Sequence, residues 1–187
     1  MYINAPIKKY LKDLAAKMPA PGGGSAAALS SALAASLVCM AIQYTLGKEK
    51  YAGFAPRAKK ILAASFRMQA DLSALLDADV AAYKNKDMEK AIQVPSRVCC
   101  LSLELMGFAV ELLERGNINL ATDAGLAILL SEAGFLAALS YVKVNLKVLK
   151  EKAKKYIPLL KKLNAMAKKI KALRRKAEVA VGYSIGR

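Results

Sequence analysis

Pro19-Ala20-Pro21-Gly22-Gly23-Gly24-Ser25 opens an uncharged run that continues to Leu46. Glycine lets a chain turn freely and removes the side chain from the wall of a site. Three glycines ahead of an Ala/Ser-rich stretch predict a backbone that something approaches closely. A helix after them would aim its free N–H groups and positive dipole end back at the loop, where an anionic group can sit. The loop is not a P-loop, because no Gly-Lys-Ser/Thr closes it. It is not a dinucleotide fingerprint, because the GxGxxG spacing and a preceding strand are missing. The plain alternative is a helix-breaking turn between two tightly packed helices.

Residues 25–46 are uncharged and about long enough to cross a bilayer. They are richer in Ala and Ser than in Leu, Ile or Phe, and Gln43 lies among them. A buried core helix is therefore expected, and no membrane partner. Five further helical stretches flank it, at about 6–17, 56–83, 87–115, 122–149 and 158–182. Pro6 suits a first turn. Ile61, Leu62, Phe66, Leu72, Leu75 and Leu76 recur near helical spacing. Pro95 should kink or split the fourth stretch, and Gly116-Asn117 should end it. Thr122 or Asp123 should cap the fifth. With no convincing strand, the expectation is an all-α antiparallel bundle of about six helices. Residues 1–187 read as one helical domain with a basic C-terminal region, 143–187.

The chain has no histidine, which removes Ser-His and Cys-His catalysis and the usual neutral-pH proton shuttle. Cys39, Cys99 and Cys100 make neither a disulfide framework nor an ordinary zinc site. They read as small core residues in a reducing, cytoplasmic protein. The N-terminal residues carry spaced lysines and no apolar core of signal-peptide length. Any acid/base work falls to carboxylates, Lys, Tyr, Cys or ordered water.

Residues 143–176 hold 14 Lys/Arg against one acid, Glu151, a net of +13 that leaves +3 of the total +16 elsewhere. Such a segment attracts polyanions. Tyr156 is its one aromatic, so no base-stacking platform is indicated. A non-catalytic polyanion- or nucleic-acid-binding protein is the reading of a different class, and a solvated helix face is the bland one.

Pro19 to Ser25 resembles the Pro-x-Pro-Gly-Gly-Gly-Ser loop of the formiminotetrahydrofolate cyclodeaminase and methenyltetrahydrofolate cyclohydrolase family. Further matches follow in order. They are Thr45-Leu46-Gly47-Lys48-Glu49-Lys50-Tyr51, Asp79-Val80-Ala81-Ala82-Tyr83, Val94-Pro95, Gly116-Asn117, Thr122-Asp123-Ala124-Gly125 and Val144-Asn145-Leu146. The resemblance implies an all-helical homodimer and folate one-carbon chemistry with no metal and no bound cofactor. It implies hydrolysis of 5,10-methenyltetrahydrofolate to 10-formyltetrahydrofolate or, alternatively, cyclodeamination of 5-formiminotetrahydrofolate with release of ammonia. A chain without a formiminotransferase domain leans toward the first. One departure stands out. Tyr83 and Val94 are 11 positions apart, where the family usually has a further helical stretch.

Methenyltetrahydrofolate carries a cationic carbon. Its hydrolysis needs water at that carbon and a proton at the departing nitrogen, and a buried carboxylate serves both needs. Asp79 is the first candidate. It stands one turn before Tyr83, whose hydroxyl would then orient the carboxylate. The adjacent Asp77 reads as a solvated helix-end acid. Asp123 is the second catalytic candidate, although an ordinary N-cap explains it equally well. Gly22, Gly23, Gly24 and Ser25 offer backbone N–H groups to a carboxylate or pterin oxygen. Asn117 and Asn119 can read pterin edges. Lys48 can meet the glutamate moiety, and the basic region can hold a polyglutamate tail. Asn145, between Val144 and Leu146, is either a site residue or an interhelical hydrogen bond.

Overall fold

A computed structural model describes residues 1–185, with side-chain burial described through Val179. Among these residues there are helices and no strands. One short helix, α1 (Ile7–Leu14), precedes five long ones: α2 (Gly23–Gln43), α3 (Ala55–Lys84), α4 (Lys90–Arg115), α5 (Ala121–Leu149) and α6 (Ile157–Ile185). Turns of 3-10 helix at Tyr2–Asn4, Glu49–Phe54, Ile118–Leu120 and Lys150–Tyr156 fill the connections.

The uncharged stretch is the centre of the bundle. Ala28, Ala34, Ala35, Val38 and Ile42 of α2 are inaccessible to solvent. Its small residues allow close approach. A Cβ built on Gly134 of α5 would strike the Ser31 hydroxyl and stand 3.0 Å from the Ala27 carbonyl oxygen. Gly134 is thus required for α2 and α5 to meet. Ser31 in turn shares a 2.7 Å hydrogen bond with Ser102 of α4, buried from water. Both α2 and a stretch within 118–179 are apolar and long enough to cross a bilayer, but 61% of the α2 window is buried within the bundle.

Residue contacts fix the directions. Gly23 and Gly24, at the start of α2, lie against Tyr141 near the end of α5 and Asp79 near the end of α3. So α2 runs antiparallel to both. Cys99 of α4 lies against the Phe135 carbonyl, and Asn145 against that of Ala91, so α4 and α5 are also antiparallel. Arg57–Glu111 and Arg97–Asp71 ion pairs tie α3 to α4 in the same sense. On α6, Leu163, Ile170 and Ala177 recur every seventh position and are buried. Arg174 pairs with Glu132 of α5 at 3.1 Å, and Lys176 pairs with Glu114 of α4. The basic segment therefore has one core-facing row, and only part of its charge is free.

Three expectations need correction. The second helix does not follow the glycine loop but begins inside it, with Gly22 as N-cap. Of the kink or split expected at Pro95, the split does not occur: α4 runs unbroken from Lys90 to Arg115. Neither Thr122 nor Asp123 caps α5; its N-cap is Leu120, and the 3-10 turn 118–120 leads straight into it.

Candidate active site

The start of α2, the ends of α3 and α5 and the start of α4 enclose a cavity of about 350 Å³. Gly22, Gly23, Gly24, Asp79, Tyr83 and Asn145 all line it. Six of the residues singled out from sequence thus meet in one place, drawn from three helices and a loop.

Asp79 is the one acid in the lining. Burial raises its carboxyl pKa above the ordinary value, and the Ser25 backbone N–H partly opposes that rise. The positive end of α2 acts in the same direction as Ser25. The carboxylate reaches this position because residue 24 has no side chain. A Cβ there would fall on the carboxyl group, 2.7 Å from its carbon. A Cβ on Gly23 would strike the Tyr141 hydroxyl, and that side chain would have to move aside. Gly22 faces no such crowding.

Ser25 is 0% exposed and does not open to the cavity. Its hydroxyl donates to the Gly22 carbonyl oxygen at 2.7 Å. With that proton placed, the Tyr10 hydroxyl, 3.0 Å away, must donate to Ser25 Oγ. Tyr10 is 4% exposed, and burial raises its pKa. This chain holds the loop, and Ser25 acts on Asp79 through its backbone. The expected Tyr83 clamp on Asp79 is not formed among the described residues. Tyr83 is 59% exposed and stands at the cavity wall. Asp77 is not a solvated acid, since its carboxylate accepts from the backbone N–H groups of Tyr2 at 2.6 Å and Ile3 at 3.2 Å.

The remaining candidates lie at the other end of α2, about 30 Å away for 21 residues of helix. Asn117 is 5% exposed and its polar atoms are occupied. Its backbone N–H donates to Thr45 Oγ1 at 3.1 Å, its Nδ2 to the Tyr44 carbonyl at 3.0 Å, and its Oδ1 accepts from Asn119 N–H at 3.2 Å. It is a clasp between the end of α2 and the entry to α5. Asp123 sits in the first turn of α5, and Lys48 is exposed before the 3-10 turn 49–54. None of Lys48, Asn117, Asn119 and Asp123 lines the Asp79 cavity.

Sequence reasoning missed Tyr10 and Tyr141. Tyr141 carried a signal, because it lies four residues before Asn145 and shares its helix face. Cys39 and Cys99 are buried and poorly suited to act as nucleophiles. Burial pushes the Cys39 thiol up to about 11 and that of Cys99 to about 12.

A family model described as Formiminotransferase-cyclodeaminase matches residues 6–87 and 84–165. The two matched stretches meet at the short connection after Tyr83. A methenyltetrahydrofolate cyclohydrolase of Methylorubrum extorquens is 35% identical, over 80% of this chain and 83% of that protein. A formimidoyltransferase-cyclodeaminase of Rattus norvegicus is 27% identical over 81% of this chain, which spans only 33% of the rat protein. The crystal structure of a formiminotetrahydrofolate cyclodeaminase from Thermotoga maritima has the same fold, with a TM-score of 0.92 at 24% identity. The similarity covers 99% of this chain and 100% of that one.

Proposed function

This chain belongs to the formiminotransferase-cyclodeaminase family, and on that premise we propose that it is a folate one-carbon enzyme that hydrolyses 5,10-methenyltetrahydrofolate to 10-formyltetrahydrofolate. The observation that carries the reading is a half-buried carboxylate, Asp79, aimed into a cavity that the glycine loop leaves open. The Methylorubrum relative supports the hydrolytic direction, since the chain covers most of that protein.

In this reading the methenyl cation sits beside Asp79, which stabilises it and lowers its own pKa back toward the ionised form. The carboxylate takes a proton from the attacking water. The ring then opens at one carbon–nitrogen bond: that proton passes to the departing nitrogen, and the added hydroxyl gives up its own proton to solvent as the formyl carbonyl forms. Gly22 and Gly23 keep the wall thin enough for a flat ring. The scheme asks for no metal and no bound cofactor.

Cyclodeamination is the second reading, favoured by the rat relative. It would use Asp79 as the acid that protonates departing ammonia. The cavity's end of the bundle also carries exposed Lys84, Lys86, Lys90, Lys143, Lys147 and Lys150, which supports a polyglutamylated folate tail as the anionic part of the substrate.

A homodimer belongs to the same proposal. Leu33 of α2 and Leu126, Leu129 and Leu136 of α5 stay 40–49% exposed on two helices that touch each other. A second copy would cover them. Sedimentation as a monomer at micromolar concentration would remove this part. A cytoplasmic site of action fits the three free cysteines.

The test is the decay of the methenyl chromophore in a buffer where spontaneous hydrolysis is slow. Decay in proportion to protein, with 10-formyltetrahydrofolate as product, is the expected result. No acceleration, together with ammonia release from formiminotetrahydrofolate, would transfer the assignment to the cyclodeaminase.

A further inference from the structure

Pro95 and Asn145 come from different helices and 50 positions apart in sequence, and the structure makes them one device. In an α-helix each N–H donates to the carbonyl four residues earlier. Proline has no N–H, so Pro95 leaves the Ala91 carbonyl without its helical donor. Asn145 Nδ2 from α5 supplies the missing hydrogen bond, at 2.6 Å. This is why α4 continues through a proline that should have broken it.

The bond also decides which way the amide faces. A carbonyl oxygen can only accept, so the NH₂ end of Asn145 must lie against Ala91. Its Oδ1 is thereby turned from Ala91. No described residue donates to that oxygen, and it is not among the buried atoms left without partners. Asn145 and Ala91 both line the Asp79 cavity. We propose that Asn145 Oδ1 is a fixed hydrogen-bond acceptor that recognises an N–H or amine donor on the ligand, and that Pro95 is the positioning residue that fixes it.

This inference rests on the folate reading and deepens it. A lone Asn amide can rotate and serve as donor or acceptor, so it distinguishes ligand edges poorly. Held at one end, it favours a ligand edge carrying donors. Asp79, in the same lining, accepts as well when ionised, while the Tyr83 and Tyr141 hydroxyls can turn either way. A folate offers such donors on the pyrimidine edge of its pterin, whereas its glutamate end carries carboxylates. The cavity would therefore take the pterin end, leaving the glutamate tail toward the exposed lysines.

The test measures the affinity of 5-formyltetrahydrofolate, a folate with the same pterin edge, by titration calorimetry, alongside the melting temperature. Four proteins are compared: the parent, Asn145→Ala, Pro95→Ala and the double variant. Asn145→Ala should weaken binding about three- to tenfold, the scale of one neutral hydrogen bond, and lower the melting temperature because the Ala91 carbonyl is orphaned. Pro95→Ala restores a backbone donor to Ala91 and frees the amide. It should weaken binding roughly threefold without lowering the melting temperature. The double variant should bind no worse than Asn145→Ala and melt higher than it does.

Parent-like binding by Pro95→Ala would overturn the positioning role, and parent-like binding by Asn145→Ala would overturn the contact itself. Losses that simply add in the double variant would also count against the coupling. If the parent binds and the variants match it, this inference alone falls. If the parent does not bind the folate at all, the folate reading falls and takes the inference with it.

Discussion

The two ends of α2 carry similar polar residues in opposite circumstances. At the N-terminal end the Asp79 carboxylate and the Asn145 carbonyl oxygen face a cavity with capacity to bind. At the C-terminal end Asn117 is as polar and better buried, but Tyr44, Thr45 and Asn119 already occupy its groups. A buried polar residue whose partners are all internal stabilises the fold. One whose partners are incomplete, beside a cavity, is available for a ligand. Residue type and burial do not separate the two cases; the hydrogen-bond accounting does.

The largest expected effect comes from removing the carboxylate. Asp79→Asn should lower turnover by roughly a hundredfold, the lower end of general acid/base assistance. It should not lower the melting temperature. A carboxyl whose pKa is raised in the folded state binds its proton more tightly than in the unfolded chain, so its contribution to stability falls as pH rises from the unfolded toward the folded pKa. At neutral pH the charged form is a burden, and the neutral amide relieves it. Circular dichroism and a melting curve beside the kinetic assay check both halves.

Gly24→Ala comes next. Its Cβ would displace the Asp79 carboxyl, so activity should fall at least several-fold, with a stability cost of about 1–3 kcal/mol for the overpacked contact. Full activity in a stably folded variant would mean that the glycine does not place the carboxylate.

The far end should respond in the opposite pattern. Asn117→Ala should cost about 1–3 kcal/mol by leaving the Tyr44 carbonyl unpaired, measured by urea unfolding. Turnover per folded molecule should stay within about twofold. Asp123→Asn should change least of all, by less than about twofold in both rate and stability, since its side chain caps nothing in α5. A tenfold rate loss there would break the comparison, because it would mean that a second subunit brings its far end to the cavity.

Much of the helix layout was legible because proline, glycine and apolar spacing act locally. Pro56 marks the first turn of α3, Gly116 follows Arg115, and the uncharged run is the core helix. The split expected at Pro95 fails for a non-local reason, since the group that rescues Ala91 lies on another helix, 54 residues from that carbonyl. Asp79 was legible through the resemblance and its spacing to Tyr83, but what surrounds its carboxyl, Gly24 and the Ser25 backbone N–H, belongs to a segment that only the fold brings near. Tyr10 gave no signal at all. It is the one buried residue of a short helix, and only its hydroxyl contact with Ser25 reveals its part.

The most direct test of the central claim is the pH dependence of kcat/KM for methenyltetrahydrofolate, corrected for spontaneous hydrolysis, in the parent and in Asp79→Asn. The parent should show a rising limb with its midpoint above the ordinary aspartate range, in the direction that burial shifts Asp79. The variant should lack that limb and run at least about tenfold slower on the plateau. The same limb in both proteins, at similar rates, would contradict the assignment of the reaction to the Asp79 cavity.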